Sequence, residues 1–218
     1  TQIRGPVEAV WAQPDTPVLA DLGAGKSYLG LILYDLFVGP SGKGRVVGVE
    51  VRPELNAAAR DIAAAAGFDR VSFIDGAISE AQVEGPVAAV TALHACDMAT
   101  DDAIKFALKH YAKLVVLVPC CQAEAARQLE EAGEHALRQM WRHPIQRREF
   151  GAHITNVVRG LVLEAAGYKV RVTELTGWEH SLKNELIVAE KHQRTNPQAE
   201  RQLRDLLARI PVMPACVS

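Results

Sequence analysis

The chain has 218 residues, 49% of them hydrophobic, with 24 Lys and Arg against 26 Asp and Glu for a net charge of -2. That apolar content is enough for a substantial buried core, and the near balance of charge excludes a protein that coats nucleic acid through bulk charge. An anionic partner must therefore meet a local patch. The four cysteines, Cys96, Cys120, Cys121 and Cys216, include no CxxC pair, and the adjacent Cys120 and Cys121 are poorly placed to bridge each other. A reducing cytoplasm is the expected setting. The start TQIRGPVEAVW has neither the basic nor the apolar region of a signal peptide, and no apolar run approaches the roughly 18 residues of a membrane span. It also lacks an initiator Met, which suggests either trimming or an incomplete N-terminus.

In chain order, short Val-, Leu- and Ile-rich runs alternate with segments of helical period, the signature of βαβ units around a mostly parallel sheet. Strands are expected at Pro17–Asp21, Arg45–Glu50, Arg70–Asp75, Val87–Leu93 and Lys113–Val118, with helices between them at Ser27–Phe37, Pro53–Ala66 and Asp101–Lys109. Pro53 has the φ of a first helical residue, and Gly67 sits where a left-handed C-cap is wanted. Gln122–Trp141 reads as helix. The basic, proline-interrupted stretch RHPIQRREFGAH that follows shows no clear period and reads as an insert at about residues 138–153. Thr155–Ala166 is helical again. Lys169–Leu175 and Glu185–Glu190 then alternate as an antiparallel pair closing the sheet, and Asn196-Pro197 caps a last amphipathic helix with Leu203, Leu206, Leu207 and Ile210 on one face. The expected fold is α/β, one Rossmann-like domain over residues 1–218: a seven-stranded, mostly parallel sheet with an antiparallel last strand and helices on both faces.

The stretch LADLGAGKSYLG, residues 19–30, poses the functional question. As a phosphate-binding loop it matches only at Gly25, Lys26 and Ser27, and Asp21 would put a carboxylate where phosphates must sit. As a dinucleotide turn it has Gly23 and Gly25 but Tyr28 in place of the third glycine. S-adenosylmethionine fits better, because it carries a sulfonium and an ammonium and no pyrophosphate. Asp21 can attract its cationic tail while Gly23 and Gly25 permit close backbone approach. Glu50, with Val51 beside it, ends the second strand, where a carboxylate can accept from both ribose hydroxyls. Asp75-Gly76-Ala77 ends the third and can meet the adenine edge. Each acidic group taken singly also reads as a helix cap or a solvated loop carboxylate.

The fourth strand runs into LHACDMATDD and the fifth into LVVLVPCCQAEA. His94 and Asp97 can serve as general base or orient a nucleophile, and Asp101 reads either as a third such group or as a helix cap. Cys121 admits a thiolate that attacks a pyrimidine ring, although small thiols commonly fill the end of a central strand. No zinc spacing is present, and no metal is expected.

The stretches DLGAGKSYLG, VVGVE, LHACDMATDDAI and VPCC resemble an S-adenosylmethionine-dependent methyltransferase group that includes eukaryotic tRNA 2'-O-ribose methyltransferases of the acceptor stem and methyltransferase-like proteins with a D-x-G-x-G-K-G-Y-L-S signature. The likeness covers roughly residues 17–125. It implies a class I methyltransferase with donor-site residues at Asp21, Gly23, Gly25, Lys26, Tyr28, Glu50 and Asp75, and it carries a fourth-strand pattern onto His94, Cys96, Ala99, Thr100 and Asp101. Ser27 departs from the signature's Gly, and Asp97 stands where the tRNA enzymes have Gly. Beyond residue 140, RREFGAHITN and GWEHSLKNE resemble bacterial members of the same group.

Arg138, Arg142, His143, Arg147 and Arg148 form a local basic cluster suited to a phosphate backbone, or else a salt-bridged helix face. Trp178 and His180 can stack on a base or sugar, or plug the core. The expected activity is methyl transfer from S-adenosylmethionine to RNA, at a ribose hydroxyl or a base. A protein or small-molecule acceptor, and a donor-binding module without catalysis, stand as alternatives.

Overall fold

The structure, a computed structural model, describes residues 2–13, 15, 17–93, 95, 98–119, 123–174 and 185–217. Helix α1 (Arg4–Trp11), which the sequence patterning does not announce, buries Val7, Val10 and Trp11. Strands β1 (Val18–Leu22), β2 (Arg45–Glu50), β3 (Val71–Asp75), β4 (Val87–Leu93) and β5 (Leu114–Val118) pair in parallel. β6 (Tyr168–Glu174) and β7 (Glu185–Lys191) complete a seven-stranded sheet of order β3-β2-β1-β4-β5-β7-β6, in which β7 runs against both neighbours. This is the expected fold class. β1 is buried at every residue, as a strand covered on both faces must be, whereas edge strands β3 and β6 leave residues exposed.

Alternation along the strands sends one set of side chains to each face. Ala20, Leu22, Val47, Val49, Val115 and Leu117 join Ile104 of α5 (Met98–Lys109) and Val158 of α7 (Pro144–Ala165) in one core. Leu19, Val46, Leu114 and Val116 join Trp11 and Tyr34 in the other. The last helix, α8 (Pro197–Leu207), starts at Asn196, whose side chain accepts from the Gln198 and Ala199 amides, and its expected apolar face packs on the first core.

Several expected bounds shift. After β1 the chain forms α2 (Tyr28–Leu33), a π-helical turn (Tyr34–Val38) and the short α3 (Gly39–Ser41). Then α4 (Pro53–Ala65) follows its expected span closely, with Gly67 just beyond it at φ 71°. The helix expected over Gln122–Trp141 is split. α6 (Ala123–Glu131) stops just before Gly133, and a 3-10 turn over Arg138–Trp141 drops Trp141 into a small core with Leu129 and Ile154. The basic stretch is not aperiodic but forms the first half of α7. Pro144 is its first residue, where a missing N–H breaks nothing and the fixed φ is an advantage. Among the described residues no helix is long and apolar enough to cross a membrane.

Candidate active site

β1 delivers Asp21 to the carboxyl edge of the sheet beside β4, where the strand order reverses and α/β sheets open their ligand crevice. Asp21 is 2% exposed. Its Oδ2 accepts from Ser27 Oγ at 2.8 Å and from the Gly30 amide at 3.2 Å, and its Oδ1 accepts from Thr91 Oγ1 at 2.8 Å. Burial raises its pKa above the usual carboxylate range against the pull of these bonds. The carboxylate expected to face a cationic tail is thus an inner brace of the turn, because donors from three residues already engage it. Gly23, Gly25 and Ser27 take φ of 64°, 57° and 52°. A left-handed serine costs about 1 kcal/mol, which its buried bond to Asp21 offsets, so a serine is tolerated where the resembled signature carries glycine. A Cβ on Gly23 would lie 3.2 Å from that of Ala95, so the missing side chain lets the segment after β4 close on the turn.

Glu50, 3% exposed, braces the same turn from the next strand. Its Oε2 accepts the Gly25 amide at 2.9 Å and Arg52 Nη2 at 3.2 Å; its Oε1 accepts the Arg52 amide at 3.1 Å and Arg52 Nε at 2.8 Å. Burial opposes its ionisation, yet the bonds from Arg52 and Gly25 outweigh burial and hold its pKa below the ordinary glutamate value.

A crevice of about 590 Å³ opens here, lined by Gly23, Glu50 and Val51, by Gly76 and Ala77, and by Ala95, Met98 and Asp102. Its size lies within the usual range for small-molecule sites, about 300–1,000 Å³. Five of the expected donor-site residues therefore share one cavity: Gly23, Glu50, Val51, Gly76 and Ala77. Val51 and Met98, 60% and 50% exposed, offer apolar surface for a flat ring on walls from different elements. Gly25 contributes its amide to Glu50, whereas Lys26 and Tyr28 are exposed and lie off the lining. Asp75 lies off it too. Its carboxylate takes Asn56 Nδ2 at 2.6 Å and Arg60 Nη2 at 3.2 Å, which hold its pKa low. Only Gly76 and Ala77 of that expected trio line the crevice.

Arg52, Met98, Asp102 and Arg127 line the crevice without having been expected there. Arg52 is hidden by its role as the residue before Pro53. Met98 and Asp102 carry a readable signal, one residue pair at i, i+4 on a helix that starts earlier than its apolar period suggests. Burial raises the pKa of Asp102, with Lys105 opposing.

His94, Asp97, Cys121, Trp178 and His180 lie outside the described residues. Asp101 is 1% exposed with both oxygens on Arg159, and so does not stand beside the crevice residues as a free acid or base. In the basic cluster, Arg147 pairs with Glu130 at 2.9 Å and Arg148 with Glu149 at 3.1 Å, while Arg138, Arg142, His143 and Arg148 are exposed. α7 runs toward the amino edge, where Gly167 turns it into β6. Its 22 residues span about 33 Å, longer than any strand it covers. Arg159 meets Asp101 in the first turn of α5; Arg147 and Arg148 lie twelve and eleven residues earlier on α7, about 17 Å along its axis, where Arg147 bonds Glu130 of α6, the helix whose Arg127 lines the crevice.

A larger groove, about 660 Å³, lies at the opposite, amino edge beside Val18, Arg45 and Arg70. Its cations are spent on main-chain carbonyls: Arg45 Nη2 on Glu84 at 2.6 Å and Arg70 Nη2 on Val38 at 3.0 Å. Among the described residues no group of three or more His, Cys, Asp or Glu side chains is arranged to hold a metal ion.

Comparison with known proteins agrees with this geometry. A family model described as a methyltransferase domain matches residues 2–128. Among solved structures, the fold is similar to an rRNA methylase of Streptococcus thermophilus, at 12% identity and TM-score 0.56 over 88% of this chain and 98% of that one. It is also similar to a putative rRNA methylase of Clostridium thermocellum, at 15% identity and TM-score 0.57 over 86% and 96%. A third, a methyltransferase of Podospora anserina bound to S-adenosylhomocysteine, aligns at 14% identity and TM-score 0.53 over 88% and 78%. No curated protein matches by sequence. With the family model spanning most of the chain and the crevice at the switch point of its sheet, the chain belongs to the methyltransferase-domain family and is an S-adenosylmethionine-dependent methyltransferase.

Proposed function

We propose that this methyltransferase acts on RNA, at a ribose hydroxyl or a base. The observation that carries the reading is the packing of the basic end of α7 on α6: Arg147 bonds Glu130 of α6, Arg127 of the same helix lines the donor crevice, and Arg148 and Arg142, which precedes α7, are exposed. A polyanionic backbone laid along that helix end brings a nucleotide to the crevice mouth, and phosphate contacts fix its register without reading sequence. The similarity in fold to rRNA methylases is consistent with this acceptor. So is the resemblance in sequence to tRNA 2'-O-ribose methyltransferases.

S-adenosylmethionine supplies an electrophilic methyl group on a sulfonium, attacked in line by the acceptor. Glu50 takes the ribose hydroxyls of the donor, Gly76 and Ala77 meet its adenine, and Gly23 lets the backbone lie close to its methionine part. His94 or Asp97 takes the proton of an acceptor hydroxyl, while Cys121 serves if the acceptor is a pyrimidine carbon. Trp178 and His180 stack on the acceptor nucleotide.

The test is transfer of a labelled methyl group from S-adenosylmethionine into total RNA, followed by nuclease digestion to identify the modified nucleoside. Label in the RNA fraction, lost in an Arg142→Ala/Arg148→Ala double variant, is the expected result. Label in protein or a low-mass fraction alone overturns it, and donor binding without transfer to any fraction marks a silent donor-binding module.

A further inference from the structure

Arg159 is buried, 1% exposed, and lays its guanidinium along Asp101 with Nε 2.8 Å from Oδ1 and Nη2 3.0 Å from Oδ2. Its Nη1 donates to Asn156 Oδ1 at 3.2 Å, and Asn156 Nδ2 donates to Glu185 Oε2 at 3.0 Å. The string ties α5 to α7 and to the first residue of β7. Three of its four members, Asn156, Arg159 and Glu185, lie outside the 2–128 stretch that the family model matches. It also gives the tail stretches a physical role, since GAHITN ends on Asn156 and Glu185 directly follows GWEHSLKN.

Buried ion pairs are a poor source of stability, because removing two charges from water offsets most of their attraction, and apolar side chains of similar volume hold helices together as well. What the bidentate fork supplies is direction. Asp101 sits in the first turn of α5, and Met98, Ala99 and Asp102 of that turn wall the donor crevice. At about 100° of rotation per residue, Asp101 lies about 60° around the helix from Met98 and about 100° from Asp102, on the flank of the face that walls the crevice. Two parallel bonds at that side resist rotation of the helix about its own axis. Thr100 Oγ1 adds a bond to the Ala95 carbonyl at 2.5 Å, carrying the constraint to another residue of the crevice wall.

We propose that Arg159 is a positioning residue for the donor site: through Asp101 it sets the rotation of the α5 wall, and so the width of the crevice between Met98 and Val51. Arginine is required because lysine is a point charge that cannot fix two oxygens at once. This inference rests on the donor crevice and not on the nature of the acceptor, so it stands or falls separately from the RNA reading.

Titration calorimetry with S-adenosylhomocysteine on the full chain tests it, alongside thermal melts. Arg159→Lys keeps the charge and loses the fork. The double variant Asp101→Leu/Arg159→Met replaces the pair by apolar side chains that leave no charge unpaired. Both are expected to bind S-adenosylhomocysteine about five- to tenfold more weakly, the low end of couplings between separated groups. The double variant is expected to do so while melting close to the unmodified chain. A double variant that melts and binds like the unmodified chain overturns the proposal, whatever the lysine variant does. Should neither variant fold, hydrogen exchange on the unmodified protein decides. Amides of residues 102–105, which bond the carbonyls of the first turn of α5, support the clamp if protected before S-adenosylhomocysteine is added, and protection that arises only on its addition overturns it.

Discussion

The guanidinium of Arg52 closes over the Glu50 carboxylate, with Nε 2.8 Å from Oε1 and Nη2 3.2 Å from Oε2, on the crevice side of the strand end. Together with the Gly25 and Arg52 amides it fills the acceptor positions of that carboxylate. Donor hydroxyls must therefore compete with Arg52 for Glu50. The guanidinium is largely exposed, so its hold on Glu50 is weak, about 0.5–1 kcal/mol. Arg52→Ala is expected to bind S-adenosylhomocysteine about two- to fivefold more tightly by calorimetry. Glu50→Ala is expected to lose at least about tenfold, since charge-assisted bonds to hydroxyls are worth about 1.5–3 kcal/mol. Weaker binding by Arg52→Ala would show that the arginine is a donor ligand and not a competitor.

Ser27 offers a test of the turn. Ser27→Gly removes the bond to buried Asp21 but relieves the left-handed backbone, while Ser27→Ala removes the bond and keeps the backbone cost. Glycine is expected to cost about 1 kcal/mol and alanine about 2 kcal/mol, or roughly 2–4 °C in melting temperature for each kcal/mol in a chain of this size. An alanine variant as stable as the glycine variant would show that the turn stores no strain at Ser27.

The pH dependence of Glu50 has a definite sign. Its folded pKa lies below its unfolded value, so the ionised form contributes stability that is fully present above the ordinary glutamate range and is lost as pH falls through the lowered folded value. Urea midpoints of the unmodified chain and Glu50→Gln are expected to differ most near neutrality. That gap should close below about pH 4. A gap that widens on acidification would reverse the assignment.

Arg148 near the start of α7 and Arg142 just before it are exposed, so replacing them with alanine should leave stability within about 0.5 kcal/mol. In RNA binding, each arginine that neutralises a phosphate should, once replaced, lower the slope of log affinity against log salt by about 1. An unchanged slope in the double variant would place the RNA backbone elsewhere on the surface. Arg147→Ala also breaks the pair with Glu130, and a small drop in melting temperature should accompany its effect on binding.

The sheet is legible in the sequence because buried strands must be short apolar runs and their helices must carry a period. Glu50 and the glycine turn are legible because a strand end at the carboxyl edge has a fixed relation to the crevice. For Asp21 the sequence reveals the place but not the role. It shows the carboxylate but not Thr91, Ser27 and Gly30, which converge on it from 70, 6 and 9 residues away. Asp101 is ambiguous for the same reason, its partner lying 58 residues on. The basic half of α7 escapes because Pro144 reads as a breaker when it is a first helical residue, and α1 because two turns carry too little pattern to announce themselves.

β7 is the last strand in the chain, yet it lies inside the sheet, between β5 and β6. During synthesis on the ribosome, β6 has no neighbour to pair with until Glu185–Lys191 has emerged behind it, and until then β5 presents an open backbone edge over Leu114–Leu117. The nascent chain is therefore exposed to edge-to-edge association over that interval, and a translational pause before residue 185 should raise its demand for chaperones.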